Sequence, residues 1–145
     1  MSSVLPDPAT PFGARVAQRL REESVIWLIT TGADGTPQPN PIWFLWEGGD
    51  NIVMYSQADA YRLAHIQRNP KVALHFDADS SGNDIVVFTG EARISPDEPS
   101  PDTVAAYTGK YSDRIAGSFE SPENFTRLYP TPVRITFTKV RGFLS

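Results

Sequence analysis

The chemistry-bearing residues of this chain gather in the run Tyr55-Ser56-Gln57-Ala58-Asp59-Ala60-Tyr61-Arg62, which continues to Asn69-Pro70. A strand over Asn51 to Ser56 ends in a hydroxyl, and a short helix near Ala58 to Arg68 follows with Arg62 about one turn in. Asn69-Pro70 then stops the helix. A hydroxyl at a strand end, free N–H groups at a helix start and a guanidinium close by suit a phosphate. The same run also reads as an ordinary helix start capped by Asp59, whose charge opposes a phosphate beside it. Spacing alone does not choose between them.

The rest of the chain limits the alternatives. There is no cysteine, which removes disulfides, thiolate metal sites and cysteine nucleophiles together. His65 and His75 lack metal-ligand spacing, and no metal site is expected; His65 is expected exposed on its helix and His75 structural. Asp77 and Asp79 lack the glycine and distal glutamate of a calcium loop. Gly32-Ala33-Asp34-Gly35 reads as a hairpin turn, since no βαβ unit follows it. A net charge of −4 supplies no field that would attract nucleic acid or an anionic membrane, so any anion needs a local cationic cluster. No apolar run is long enough to span a bilayer. Met1 to Thr10 is polar, lacks the features of a signal peptide and is expected to be a flexible segment. A soluble cytoplasmic protein is the expectation, and 145 residues fit one domain, 1–145.

The elements that must position these residues are mostly strands. Thr10-Pro11 opens a first helix, with the hydroxyl as cap and proline at the first helical position. Phe12, Val16 and Leu20 give it one apolar stripe. Ser24 to Thr31, Thr36 to Glu47 and Asn51 to Ser56 read as three strands joined by glycine-containing turns, a meander. Lys71 to Asp77 alternates Val72, Leu74 and Phe76 against polar neighbours. Asp84 to Ile94 is a long fifth strand, and Pro132 to Val140 the last. Between them lie short helices over Asp102 to Tyr111 and Pro122 to Tyr129. Six strands with a few helices suggest a closed or nearly closed antiparallel barrel.

Pro37, Pro39 and Pro41 occupy alternate positions of the second strand. Backbone N–H groups at i and i+2 point to one edge, so three donors are missing there, and a central strand would not tolerate that loss. The strand must therefore expose this edge. Ile42-Trp43-Phe44-Leu45-Trp46 follows at once. Ile42, Phe44 and Trp46 are read as barrel core. Trp43 shares the parity of the prolines, so this large aromatic needs cover from a ligand or another subunit.

Trp43 and Phe44 after Pro41, together with Tyr55-Ser56, Arg62, Asn69-Pro70 and Thr89-Gly90, resemble the pyridoxamine-phosphate-oxidase-like split-barrel flavoproteins. The likeness runs from Thr10 to Phe143. Within that superfamily the chain is most similar to the small actinobacterial branch that uses the deazaflavin coenzyme F420, although no single motif excludes FMN. The resemblance implies a mainly β (α+β) fold, a six-stranded antiparallel split β-barrel of the FMN-binding type with short flanking helices. It also implies a homodimer with two cofactor sites at the subunit interface.

Carried over by position, the resemblance puts Ser56 and Arg62 on the cofactor phosphate and Tyr55 beside them. It lays Pro41, Ile42, Trp43 and Phe44 along the isoalloxazine or deazaflavin ring. The family usually has lysine where Arg62 stands, a change that keeps the charge. The chain departs from the true oxidases at Gln38-Pro39-Asn40-Pro41 and Asp84-Ile85-Val86-Val87, where they carry a basic residue and a glutamine, and its C-terminal tail is shorter. The resemblance thus implies an F420-dependent reductase passing hydride to a small conjugated acceptor, with an FMN oxidoreductase or a non-catalytic flavin- or tetrapyrrole-binding protein as alternatives. Because the cofactor carries the chemistry, no catalytic protein base is required. Tyr107, Tyr111 and Tyr129 are candidates to cover a substrate pocket. Asp102 to Tyr129 is either a lid over a cavity or a plug.

Overall fold

In a computed structural model that describes residues 3–144, the six strands form one antiparallel sheet. They are β1 (Ile26–Thr31), β2 (Pro37–Ile42), β3 (Asn51–Ser56), β4 (Lys71–His75), β5 (Ile85–Ile94) and β6 (Thr131–Phe143), in the order β2-β1-β4-β5-β6-β3. Two helices complete the barrel, α1 (Pro11–Glu22) and α2 (Tyr61–Arg68). Three short ones, α3 (Ala105–Lys110), α4 (Ser112–Phe119) and α5 (Pro122–Leu128), precede β6. This is the split-barrel arrangement. Met1 and Ser2, part of the segment expected to be flexible, lie outside the described residues. From Val4 onward that segment has partners: the Val4 N–H donates to Asp50, and Leu5 packs against the core.

The proline argument places β2 correctly. β2 is an edge strand paired only with β1, with Pro37, Pro39 and Pro41 opposite Thr31, Ile29 and Trp27. The Gly32 N–H donates to the Thr36 carbonyl, and antiparallel pairs alternate in bonding. Gln38, Asn40 and Ile42 therefore carry the ladder while the prolines face outward.

The expected meander is not what forms. β3 pairs along its length with β6, from Asn51↔Thr136 to Ser56↔Thr131. It meets the continuation of β2 only at Leu45, whose N–H and carbonyl exchange hydrogen bonds with Val53 at 2.9 and 3.1 Å. The stretch read as one strand, Thr36 to Glu47, is thus two pieces. Pro37–Ile42 lies on β1, and the chain then crosses to β3 and draws the two sheet edges together.

Strand parity fills the barrel. Ile26, Leu28, Ile42, Phe44, Ile52, Met54, Leu74, Phe88, Val133 and Ile135 are all within its buried core. Val16 and Leu20 of α1 and Leu63 and Ile66 of α2 join the same core. Thr10 caps α1 as expected, its hydroxyl accepting the Gly13 N–H at 3.0 Å. β6 carries a bulge, since Thr89 opposes Lys139 while Gly90 opposes Phe137. Gly90 faces inward here, and a Cβ on it would lie 2.5 Å from the Thr136 carbonyl oxygen. Gly90→Ala must push β5 from β6 and is expected to lower stability by about 1–3 kcal/mol, the scale of overpacking. An unchanged urea midpoint would show that the bulge absorbs the methyl.

Candidate functional site

A second apolar cluster covers the outer face of β3. Val53 and Tyr55, which point away from the barrel, pack with Leu45, Tyr107, Tyr111, Ile115 and Phe125. Trp43 lies against this cluster, covered by the chain's own helices. Its ring stacks on Tyr111 at 4.5 Å and 5° and on Phe125 at 5.5 Å and 12°, and Phe125 stacks on Tyr129 at 4.9 Å and 12°. The cover that Trp43 requires therefore comes from the α3–α5 segment. These spacings leave no slot for another ring, because a planar ligand between two others needs roughly 7 Å, twice a van der Waals contact. On the face of Trp43 the segment is a plug.

Beside the plug a cleft of about 240 Å³ remains, lined by Pro41, Ile42, Trp43, Tyr55, Arg62, Tyr107, Phe119, Phe125 and Tyr129. Five of the seven residues expected to hold a cofactor are in it: Pro41, Ile42, Trp43, Tyr55 and Arg62. Phe44 and Ser56 are not. The Phe44 ring is fully buried in the barrel. Ser56 is fully buried too, and its hydroxyl donates to the Gln57 carbonyl at 3.0 Å. Parity explains both, since Phe44 continues the inward row of Ile42, and Ser56 that of Ile52 and Met54. Phe119 and Phe125 were not anticipated as lining; the only sequence signal is the aromatic density between 107 and 129.

The backbone of Phe44 is also engaged. Its N–H donates to the Tyr111 hydroxyl at 2.9 Å, which in turn donates to the Ser24 carbonyl at 2.7 Å. Its carbonyl accepts from Lys110 Nζ at 2.7 Å. The Phe44 N–H and carbonyl are thus both engaged within the chain.

Arg62 carries the charge of the site. It is half-buried, and its guanidinium makes no hydrogen bond or ion pair with the described residues. Burial pulls its pKa below the ordinary arginine value, with Tyr129 acting in the opposite direction. A half-buried cation without a counter-charge is costly, so an anion is the natural occupant. The N-cap residue of α2 is Ala60, with no side-chain cap, so Asp59 does not satisfy the helix start. Arg62 also borders a second space, of about 720 Å³, with Gln38, Asn40, Tyr61 and His65. His65 is half-buried rather than exposed, its Nδ1 3.0 Å from the Thr30 hydroxyl. His75 stacks on Trp27 at 6.2 Å. Among the described residues no group of three His, Cys, Asp or Glu is placed to hold a metal ion, and no helix is long and apolar enough to cross a membrane.

Lys110 stands 3.7 Å over the Phe44 ring. Burial, with Arg114 repelling, lowers its pKa to about 8 from the ordinary 10.5, while Glu23 acts the other way. Between these two values the folded chain binds fewer protons than the unfolded one, so stability attributable to Lys110 rises with pH through that window. Comparing the parent with Lys110→Met, the difference in thermal midpoint should shift toward the parent as pH rises from 8 to 10. A difference independent of pH would show that Lys110 keeps its ordinary pKa.

Comparison with known proteins supplies the frame for these residues. The family model described as pyridoxamine 5'-phosphate oxidase matches residues 12–141. Among solved structures, an F420 reductase superposes with a TM-score of 0.66 at 23% identity, covering 86% of this chain and 94% of its own. The conserved hypothetical protein Rv2991 from Mycobacterium tuberculosis gives 0.66 at 23% identity, covering 97% of this chain and 86% of its own. The haem storage protein HutZ from Vibrio cholerae gives 0.62 at 13% identity, covering 92% and 95%. Identities this low are evidence of a shared fold alone. Comparison with curated protein sequences finds no match.

Proposed function

Since the chain belongs to the pyridoxamine 5'-phosphate oxidase family, we propose that it is a flavin-type oxidoreductase, an F420-dependent reductase acting on a small conjugated acceptor. The observation that carries the reading is the unpartnered Arg62 guanidinium in a cleft walled by Pro41, Ile42 and Trp43. The residues fit such a cofactor: a cation for its phosphate beside an uncapped helix start, and apolar and aromatic walls for a flat ring. When bound, the cofactor supplies the hydride chemistry. The chain's residues hold it, orient it and exclude water. Support for F420 over FMN is the resemblance of Pro41-Ile42-Trp43-Phe44 to the deazaflavin branch and the F420 reductase among the structural neighbours. FMN is the alternative.

A cleft of about 240 Å³ is below the roughly 300–1,000 Å³ of ordinary ligand pockets, and a second copy of the chain is the proposed remedy. Across the outer face of the sheet runs the row Pro41–Trp27–His75–Val87–Arg141, set by the strand registers. Trp27, Ile29, Ala73 and Val87 on this face remain partly exposed. Pro41 belongs both to the row and to the cleft, so a copy docked on this face would extend the cleft's wall.

The test is titration of the purified protein with F420 and, separately, with FMN. Arg62→Ala should weaken binding of the preferred cofactor by about 1.5–3 kcal/mol, as for a hydrogen bond to a charged group. Unchanged affinity with an intact fold would remove Arg62 from the phosphate site, and failure to bind either would sink the cofactor reading. Equilibrium sedimentation at micromolar concentration should give a dimer, and Ile29→Glu a monomer. A monomeric parent would overturn the shared site.

A further inference from the structure

Three tyrosines meet beneath the helical cover. The ring of Tyr107 lies 4.9 Å from that of Tyr55 and 5.1 Å from that of Tyr111. Two of the hydroxyls have backbone partners. Tyr55 donates to the Pro99 carbonyl at 2.9 Å, and Tyr111 donates to the Ser24 carbonyl while accepting the Phe44 N–H. The third has none. Among the described residues, the Tyr107 hydroxyl is the buried side-chain polar atom left without a hydrogen-bond partner. The residue is 0% exposed.

A buried hydroxyl left unpaired costs about 1–3 kcal/mol, and phenylalanine would fill the same space without that cost. Tyr107 lines the cleft, and its ring is packed elsewhere by Tyr55, Tyr111 and Phe125, the last at 5.8 Å. The cleft is the side left for a partner, which must part the side chains that now cover the hydroxyl. Burial raises the Tyr107 pKa far above the ordinary phenol value, so the group remains a donor throughout the working pH range.

We propose that the Tyr107 hydroxyl donates a hydrogen bond to a conjugated carbonyl oxygen of a planar molecule in the cleft, so that the cleft selects aryl or ring carbonyls over plain aromatic hydrocarbons. This rests on the cleft being the binding site. Two molecules could present that oxygen, the ring of the cofactor or the acceptor substrate.

The experiment uses 2-acetylnaphthalene and 2-isopropylnaphthalene, which share ring and shape while only the first has an acceptor oxygen. Each is titrated calorimetrically into the parent and into Tyr107→Phe, with thermal midpoints measured alongside. Affinity for the ketone should fall about tenfold in the variant, on the scale of a lost hydrogen bond to a buried partner. Affinity for the hydrocarbon should change less than twofold, and the variant's midpoint should equal or exceed the parent's. Equal effects on both probes, no effect on either, or a parent that binds neither would overturn the proposal. F420 and FMN are titrated into the same two proteins. A parallel loss assigns the oxygen to the cofactor ring, and unchanged cofactor affinity assigns it to the substrate. If the parent binds neither cofactor but keeps its ketone preference, the oxidoreductase reading fails while the role of Tyr107 stands.

Discussion

The structure depends on how the chain passes from β2 to β3. At Ile42 the backbone is still bonded to β1, and at Leu45 it is bonded to β3. The peptide groups of Phe44 lie between two ladders with a strand partner in neither. Buried N–H and carbonyl groups must nonetheless be satisfied. The Tyr111 hydroxyl takes the N–H, and Lys110 Nζ supplies the carbonyl. Because those two residues end α3 and open the turn into α4, satisfying Phe44 fixes the helical segment on the barrel. The same hydroxyl bonds the Ser24 carbonyl just before β1, so one side chain ties both ends of the β1–β2 hairpin to the helices.

From that anchor the cleft follows. Holding Tyr111 at Phe44 sets its ring against Trp43, and the stack continues through Phe125 to Tyr129. The stack makes one wall rigid. The opposite side is the proline edge of β2, a strand that cannot recruit another strand through its missing donors. What lies between is a space lined by aromatic rings, tyrosines among them, and by a cation, Arg62, whose guanidinium makes no hydrogen bond or ion pair with the described residues.

Much of this was legible in the residues. The alternate prolines identify an edge strand because a missing donor is a local fact with a single geometric consequence. Thr10-Pro11 fixes the start of α1 for the same reason. Alternation in Val72, Leu74 and Phe76, and again in Val133, Ile135 and Phe137, identifies the inward faces. Pairing was harder to see. Periodicity shows that Asn51 to Ser56 is a strand but not that its partner is β6, since a partner some eighty residues away leaves no local mark. The site divides in the same way. Arg62 and Trp43 announce themselves by type, whereas Ser56 and Phe44 were placed on the cofactor by the family resemblance and fall on the inward side by parity, as the core reading of Phe44 expected.

The helical segment shows why function is read from pairs of residues rather than from single ones. Tyr107, Tyr111 and Tyr129 are equivalent candidates as sequence. In the fold Tyr111 is engaged with the backbone, Tyr129 ends the aromatic stack, and Tyr107 alone of the three is buried with its hydroxyl free. A difference in hydrogen-bond partners separates a structural tyrosine from one available to a ligand, and composition contains no trace of it. Arg62 is distinguished from Arg19 on the same ground. Arg19, though more deeply buried, is bonded to Glu23 and to the carbonyls of Asp77 and Asp84, and so holds α1 to the barrel. Arg62 has no such partner, and the cleft that opens beside it is where its charge can be answered.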